Sequence, residues 1–338
     1  MSEIRVNNIT NRDGSTGTTV AGIPVVDSTS HFVVPSGDTA ERGSRGRGVF
    51  GGGVPSKNVI DYVTIDTTGN AADFGDLTVG RHGIGACSSA IRGVFGGGRQ
   101  TPATVNTIDF VTIASTGNAF DFGDLTLARD NLAACSSSTR GVFAGGYAPG
   151  ITDTMDFITI ASLGNAADFG NALSNFVYAA ACGSSTRGLI GGGSYPGVSN
   201  VIQFITISTL GNSSDFGDLT LARGRTPGSC SSPTRGLFAG GDPGNPNPNN
   251  RTNVIDYVTI ATLGDATDFG DLTAARYLMG GGTASSTRAL FGGGYGSGTF
   301  NIIDYVTIAT TGNAQDFGDL IEARRQFGAC SDSHGGLG

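Results

Sequence analysis

Six copies of one glycine-ended segment punctuate the chain: "RGVFGGG" at 47–53 and 92–98, "RGVFAGG" at 140–146, "RGLIGGG" at 187–193, "RGLFAGG" at 235–241 and "RALFGGG" at 288–294. A fixed period of about 48 residues constrains the fold more than composition does, because every unit must meet its neighbours through the same surfaces. A run of β-branched and aromatic residues follows each copy: "VIDYVTI" at 59–65, "TIDFVTI" at 107–113, "TMDFITI" at 154–160, "VIQFITI" at 201–207, "VIDYVTI" at 254–260 and "IIDYVTI" at 302–308. Such runs read as strands. A glycine turn such as "TTGN" (67–70) comes next, then "DFGDL" at 73–77, 121–125, 215–219, 268–272 and 316–320, with "DFGNA" at 168–172. A segment of the "AACSS" type leads into the next copy.

Each unit thus holds four short strands, and four antiparallel strands at this period describe one blade of a β-propeller. Six units predict six blades in one cooperative domain, since a blade cannot bury both faces of its "IDYVTI" strand alone. The two ends are complementary. The first "RGVFGGG" follows "DTAERGS" with no "ACSS" strand before it, whereas the last unit runs on into "FGACSDS" at 327–333. The C-terminal strand is therefore expected to complete the blade that begins at Arg47.

The pattern over residues 45–338 resembles the kelch repeat, in which a hydrophobic strand ends in paired glycines and two further strands and a crossover follow. Kelch blades carry a tryptophan that this chain lacks. Phe74, Phe122, Phe169, Phe216, Phe269 and Phe317 stand at the equivalent place. The resemblance implies an all-β, kelch-like six-bladed propeller closed by a C-terminal strand. On this reading the "DFGD" aspartates cap turns or pair with the recurring arginines Arg81, Arg129, Arg223, Arg276 and Arg324. A kinase-type magnesium aspartate is excluded, because such a site needs one Asp-Phe-Gly after a His-Arg-Asp segment, which is absent.

Composition narrows the function. A formal charge of −8 with a single lysine, Lys57, argues against a nucleic-acid groove. No apolar run reaches membrane-spanning length, so no membrane insertion is expected, and "MSEIRVNNITNRDGS" lacks the apolar core of a signal peptide. Cys87, Cys135, Cys182, Cys230 and Cys330 occupy the same place in five repeats, with Thr283 in the sixth, which favours buried thiols packed between inner strands over disulfides or a metal ring. His31, His82 and His334 show no metal-ligand spacing. The galactose-oxidase copper constellation, the sialidase Asp-box and a phosphate loop after "GGG" are likewise missing. The expectation is a non-enzymatic protein without cofactor, metal or catalytic residue.

What differs between repeats is more informative. The connections after the glycine strands, "VPSKN", "RQTPATVN", "YAPGITD", "SYPGVSN", "DPGNPNPNNRTN" and "YGSGTF", should share one face of the disc, and binding commonly resides on variable loops of a rigid scaffold. Candidate ligand residues on this face are Tyr147, Tyr195 and Tyr295, as aromatic surface, and Asn245, Asn247, Asn249 and Asn250, as amide donors and acceptors for a cell-surface glycan.

Residues 1–40 lie outside the repeat and form the expected extended N-terminal arm, with 41–338 as the propeller. The wording "IRVNNITNRDGSTGTTVAGIPVVDSTSHFVVPSG" is similar to the opening of virion structural proteins of tailed phages, especially those of marine cyanobacteria, as are the "FGGG…IDYVTIATTGNAxDFGDL" units. That resemblance implies a tail-fibre-like or capsid-decorating protein, made in the host cytoplasm and carried on the virion in several copies. It would join other virion proteins through residues 1–40 and present its loop face to the host surface. The alternative is a purely structural decoration or connector protein without receptor binding.

Overall fold

The computed structural model describes residues 19–20, 23–24, 46–225, 227–244 and 250–337, and the chain divides into two units, Met1–Ser44 and Arg45–Gly338. In the first unit Thr19–Val20 pairs antiparallel with Ile23–Pro24, inside the β-prone "TTVAGIPVV". The remainder of the expected arm lies outside the described residues.

The second unit is a six-bladed β-propeller. The third blade shows the plan: Ala133–Ser136 innermost, then Arg140–Ala144, Thr154–Thr159 and Ala167–Asn171, each antiparallel to the last. In the first blade the inner strand is Gly328–Ser331, which pairs with Arg47–Gly51 so that Ala329 faces Phe50 and Cys330 faces Val49. The clasp expected from the complementary ends is therefore present. Asp332 fastens it, its Oδ1 accepting the backbone N–H of Gly46 at 2.7 Å and of Arg47 at 3.0 Å.

The strands read as nearly continuous apolar runs because a neighbouring blade covers each face. Val49 and Ile60 join a core with Phe95 and Val111 of the second blade, while Phe50 and Val63 join another with Leu290 and Phe317 of the sixth. "DFGDL" belongs to these seams. Phe74 is buried and meets Tyr62 edge-on at 5.9 Å. Phe74 and Asp76 accept, through their carbonyls, the N–H groups of Gly117 and Ala119 in the next blade's turn, each at 2.7 Å. Gly75 holds φ at +144°, and a Cβ there would lie 2.5 Å from the Gly117 carbonyl oxygen. Only glycine permits that approach.

The arginines do not pair as expected from the sequence. Arg81 meets Asp109 at 3.0 Å, Arg129 meets Asp156 at 3.0 Å, Arg223 meets Asp256 at 2.7 Å, Arg276 meets Asp304 at 3.1 Å and Arg324 meets Asp61 at 3.0 Å. Each partner is the aspartate of the next blade's "IDYVTI"-type strand rather than one of "DFGD". The reason is burial: both members of each pair are sealed from water, whereas Asp73 lies exposed on the outer strand, and a buried guanidinium requires a buried counter-charge. At the seam between the third and fourth blades the pair is absent. Phe176 and Gln203 take the two places, both buried.

A second set of arginines, one per blade, lies over the aromatic residue of its own third strand and reaches the blade beyond. Arg47 sits 4.4 Å from the Tyr62 ring centre and its Nη1 donates to the Ile113 carbonyl at 2.8 Å. Arg288 closes the circuit by donating to Ile65 of the first blade at 2.9 Å.

Candidate functional site

The inner strands surround an axial cavity lined by alanine, glycine and serine. The cysteines at its wall point sideways into the seams: a Cβ on Gly141 would lie 2.5 Å from Cys87 Sγ, so this strand position must be glycine to admit the thiol. All five thiols are free and buried, and desolvation pushes those of Cys135 and Cys330 up to about 12. Among the described residues no three His, Cys, Asp or Glu side chains are grouped to hold a metal ion.

One end of the cavity lies at the uniform "SSTRG" turns and is capped. Serine hydroxyls tie neighbouring inner strands there: Ser136 Oγ donates to the Ser88 carbonyl at 2.9 Å, Ser88 Oγ to Ser331 at 2.6 Å and Ser331 Oγ to Ala284 at 2.6 Å. The C-terminal residues fold across this end. His334 Nε2 donates to the Ser88 carbonyl at 3.0 Å and its Nδ1 accepts the Gly336 N–H at 3.0 Å. That pair of bonds requires a neutral imidazole, and burial lowers its pKa below the usual histidine value.

The opposite end is built from the crossovers between blades. Gly83, Asn131, Tyr178, Arg225, Leu278 and Gln326 occupy equivalent places, two residues past the position of the buried arginine. Their backbones supply five links of a six-membered hoop, in which Asn131 N–H donates to Gly83 (2.7 Å), Tyr178 to Asn131 (3.1 Å), Leu278 to Arg225 (2.7 Å), Gln326 to Leu278 (2.9 Å) and Gly83 to Gln326 (2.7 Å). The five non-glycine members have φ between +53° and +62°. Left-handed backbone is unfavourable for such side chains and persists here because the hoop fixes it. The fold is six-fold repeated, yet six different residue types occupy this ring.

The variable connections share this face, since each bonds to a crossover: Arg99 to His82, Tyr147 to Asp130, Ser194 to Val177, Asp242 to Gly224 and Tyr295 to Tyr277, and Val54 to Arg325, whose carbonyl accepts the Val54 N–H at 2.9 Å. Tyr147, Tyr195, Asn250 and Tyr295 therefore lie on one face, each on its own blade, and among the described residues no ring contact or hydrogen bond joins any two of them. Tyr195 is 53% exposed and Tyr147 40%. Tyr295 is half-buried, with Tyr277 edge-on at 5.6 Å and Arg325 over its ring at 4.7 Å. Asn250 is exposed, while Asn245, Asn247 and Asn249 lie outside the described residues.

The charges of this face were not foreseen from the loops alone. Arg99 Nε lies 2.6 Å from Asp130 Oδ2, and Arg225 Nε 3.3 Å from Asp242 Oδ2. Burial raises the Asp130 carboxyl and Arg99 draws it back down. Gln326 Nε2 donates to Asn131 Oδ1 at 2.8 Å, passing over Gly83. The signal available in the sequence was the crossover column itself, where "HG", "DN", "VY", "GR", "YL" and "RQ" follow the buried position in turn. No protein-family model matches the chain, and no curated protein matches it.

Proposed function

We propose that the propeller is a non-enzymatic recognition module of a tailed-phage virion, joined to the particle through residues 1–40 and presenting the crossover-and-loop face to the host surface. One observation carries the recognition reading: the blade seams keep one plan, with the buried ion pair at five of the six, whereas the hoop and loops of one face differ from blade to blade. Side chains that vary on a rigid, hydrogen-bonded frame suit selective binding. The virion assignment rests on the resemblance of the N-terminal wording and the repeats to phage structural proteins. The kelch likeness of the blades adds a scaffold that commonly presents loops.

The test uses particles carrying the full chain with 242–253 replaced by a short Gly-Ser turn and Tyr195→Ala. Adsorption to host cells should fall while the copies per particle stay normal. Normal adsorption would sink the recognition reading. A chain starting near Glu41 should fold but fail to join particles, and normal incorporation would show that the arm is not the anchor.

A second reading, a structural decoration or connector protein, is favoured by a different observation. Leu163, Leu210 and Leu263 stand 58–59% exposed on the turns of three successive blades, on the face away from the hoop. Apolar side chains presented in series suit docking on another protein.

A further inference from the structure

We infer that the loop face binds an acidic saccharide, its oxyanion held by an arginine cluster over the fifth and sixth blades. The inference rests on the recognition reading above and names its ligand class. Arg225, Arg251 and Arg325 converge on one pair of tyrosines. Tyr277 and Tyr295 meet edge-on at 5.6 Å. Arg225 lies 5.5 Å from the Tyr277 ring centre and Arg325 4.7 Å from that of Tyr295. Arg251, from the long connection of the fifth blade, donates through Nη1 to the carbonyl of Gly296, the residue after Tyr295.

Among the described residues one carboxylate answers these three guanidinium groups. Asp242 pairs with Arg225, and among the described residues no ion pair engages Arg251 or Arg325. The patch is cationic on a chain whose formal charge is −8. Stacking against a ring occupies the face of a guanidinium and leaves its in-plane N–H fork free for a bidentate oxyanion. Arg325 Nε, like that of the seam arginines Arg81, Arg129, Arg223 and Arg324, is shielded from solvent and has no hydrogen-bond partner among the described residues.

A saccharide fits better than a nucleic acid. Three arginines on a net acidic molecule cannot track a phosphate backbone, which needs an extended cationic path. Beside them, Asn250 is exposed in a connection rich in amides, which donate to and accept from sugar hydroxyls. One shallow cluster gives weak binding per site, so polymers and repeated copies strengthen it through effective concentration.

The probes are a uronic-acid polymer, a sulfated dextran, neutral dextran and single-stranded DNA, each tested against the full chain at low and high salt. Binding to one or both acidic polysaccharides, weakened by salt and absent for neutral dextran, is expected, and the preference between them tells carboxylate from sulfate. Arg251→Gln with Arg325→Gln should weaken binding about tenfold with an unchanged far-ultraviolet circular dichroism spectrum. Arg325→Lys, which keeps the charge but loses the fork, should recover only part of it. If the double variant does not fold, Arg325→Gln alone carries the comparison. Failure of the wild-type chain to bind either acidic polysaccharide, undiminished binding by the folded variants, or equal affinity for DNA overturns the inference. The recognition reading fails separately, in particle adsorption.

Discussion

Arg324 of the last blade and Asp61 of the first are 3.0 Å apart and fully buried, so the seam that closes the ring carries the same ion pair as four of the other five. It differs in one hydroxyl. At the other ion-paired seams Thr78, Thr126, Thr220 and Thr273 each donate through Oγ1 at 2.6 Å to the aspartate Oδ1. Ile321 stands in that place here and offers only its backbone N–H, to Oδ2 at 3.1 Å. Asp61 Oδ1 is left without a partner, and desolvation pushes the carboxyl up to about 6 against the pull of Arg324.

Ile321→Thr should therefore stabilise the protein, by about 1 kcal/mol at pH 7, through the hydroxyl it adds. The gain should depend on pH. A carboxyl whose folded pKa is raised contributes stability that is full below its unfolded value of 3.8 and lost as pH rises through about 6. The variant's advantage in melting temperature should thus be greatest above pH 6 and shrink on acidification. An advantage that does not vary between pH 4 and 7 would refute this account of Asp61.

Phe176 and Gln203 replace both members of the ion pair at one seam, and Gln203 is satisfied there. Its Oε1 accepts from Ser213 Oγ at 2.5 Å and from the Leu173 N–H at 3.0 Å. Gln203→Asp alone should cost about 3 kcal/mol, the usual order for an uncompensated buried charge, and Phe176→Arg alone should cost about as much. Together they should recover most of the loss. A double-mutant cycle with no coupling between the two sites would exclude the substitution as a matched pair.

Removing 327–338 takes away the inner strand of the first blade and Phe327, whose burial is worth about 1.5–3 kcal/mol by itself. The product should aggregate through the exposed Arg47–Gly51 edge. Removing only 333–338 spares that strand, and the ring should stay folded with a modestly lower melting temperature. A full-length-like melting curve for the longer deletion would mean that the ring closes in another way.

His334 adds a second pH effect of opposite sign. Its folded pKa is lowered below 6.5, so its stabilisation is present above pH 6.5 and lost as pH falls through the folded value. His334→Ala should lower the melting temperature at pH 7.5 and narrow its difference from wild type at pH 5. A constant difference would show that protonation of this ring is not linked to folding.

The five cysteines should be inert in the native state, because the raised pKa of a buried thiol removes the reactive thiolate. Mass spectrometry after brief alkylation at pH 8 should find no adduct on the folded chain and five after denaturation. Rapid native labelling of Cys135 or Cys330 would contradict their placement in the seams.

The sequence alone determined the number of blades, the four strands in each and the closing strand at 327–333, because these follow from a repeat period and from strand patterns read within a few residues. It also placed the thiols between inner strands. Tertiary structure decided what lies across a seam. Arg81 finds Asp109 rather than the nearer Asp73 because blade packing buries the one and leaves the other in water, and linear spacing carries no record of which. The hoop of Asn131, Tyr178, Arg225, Leu278 and Gln326 was hidden for the same reason. Its members are each a blade apart in sequence and share no residue type. Only closure of the ring brings them to one axis, where backbone hydrogen bonds hold them in a left-handed conformation that Tyr, Arg, Leu and Gln disfavour.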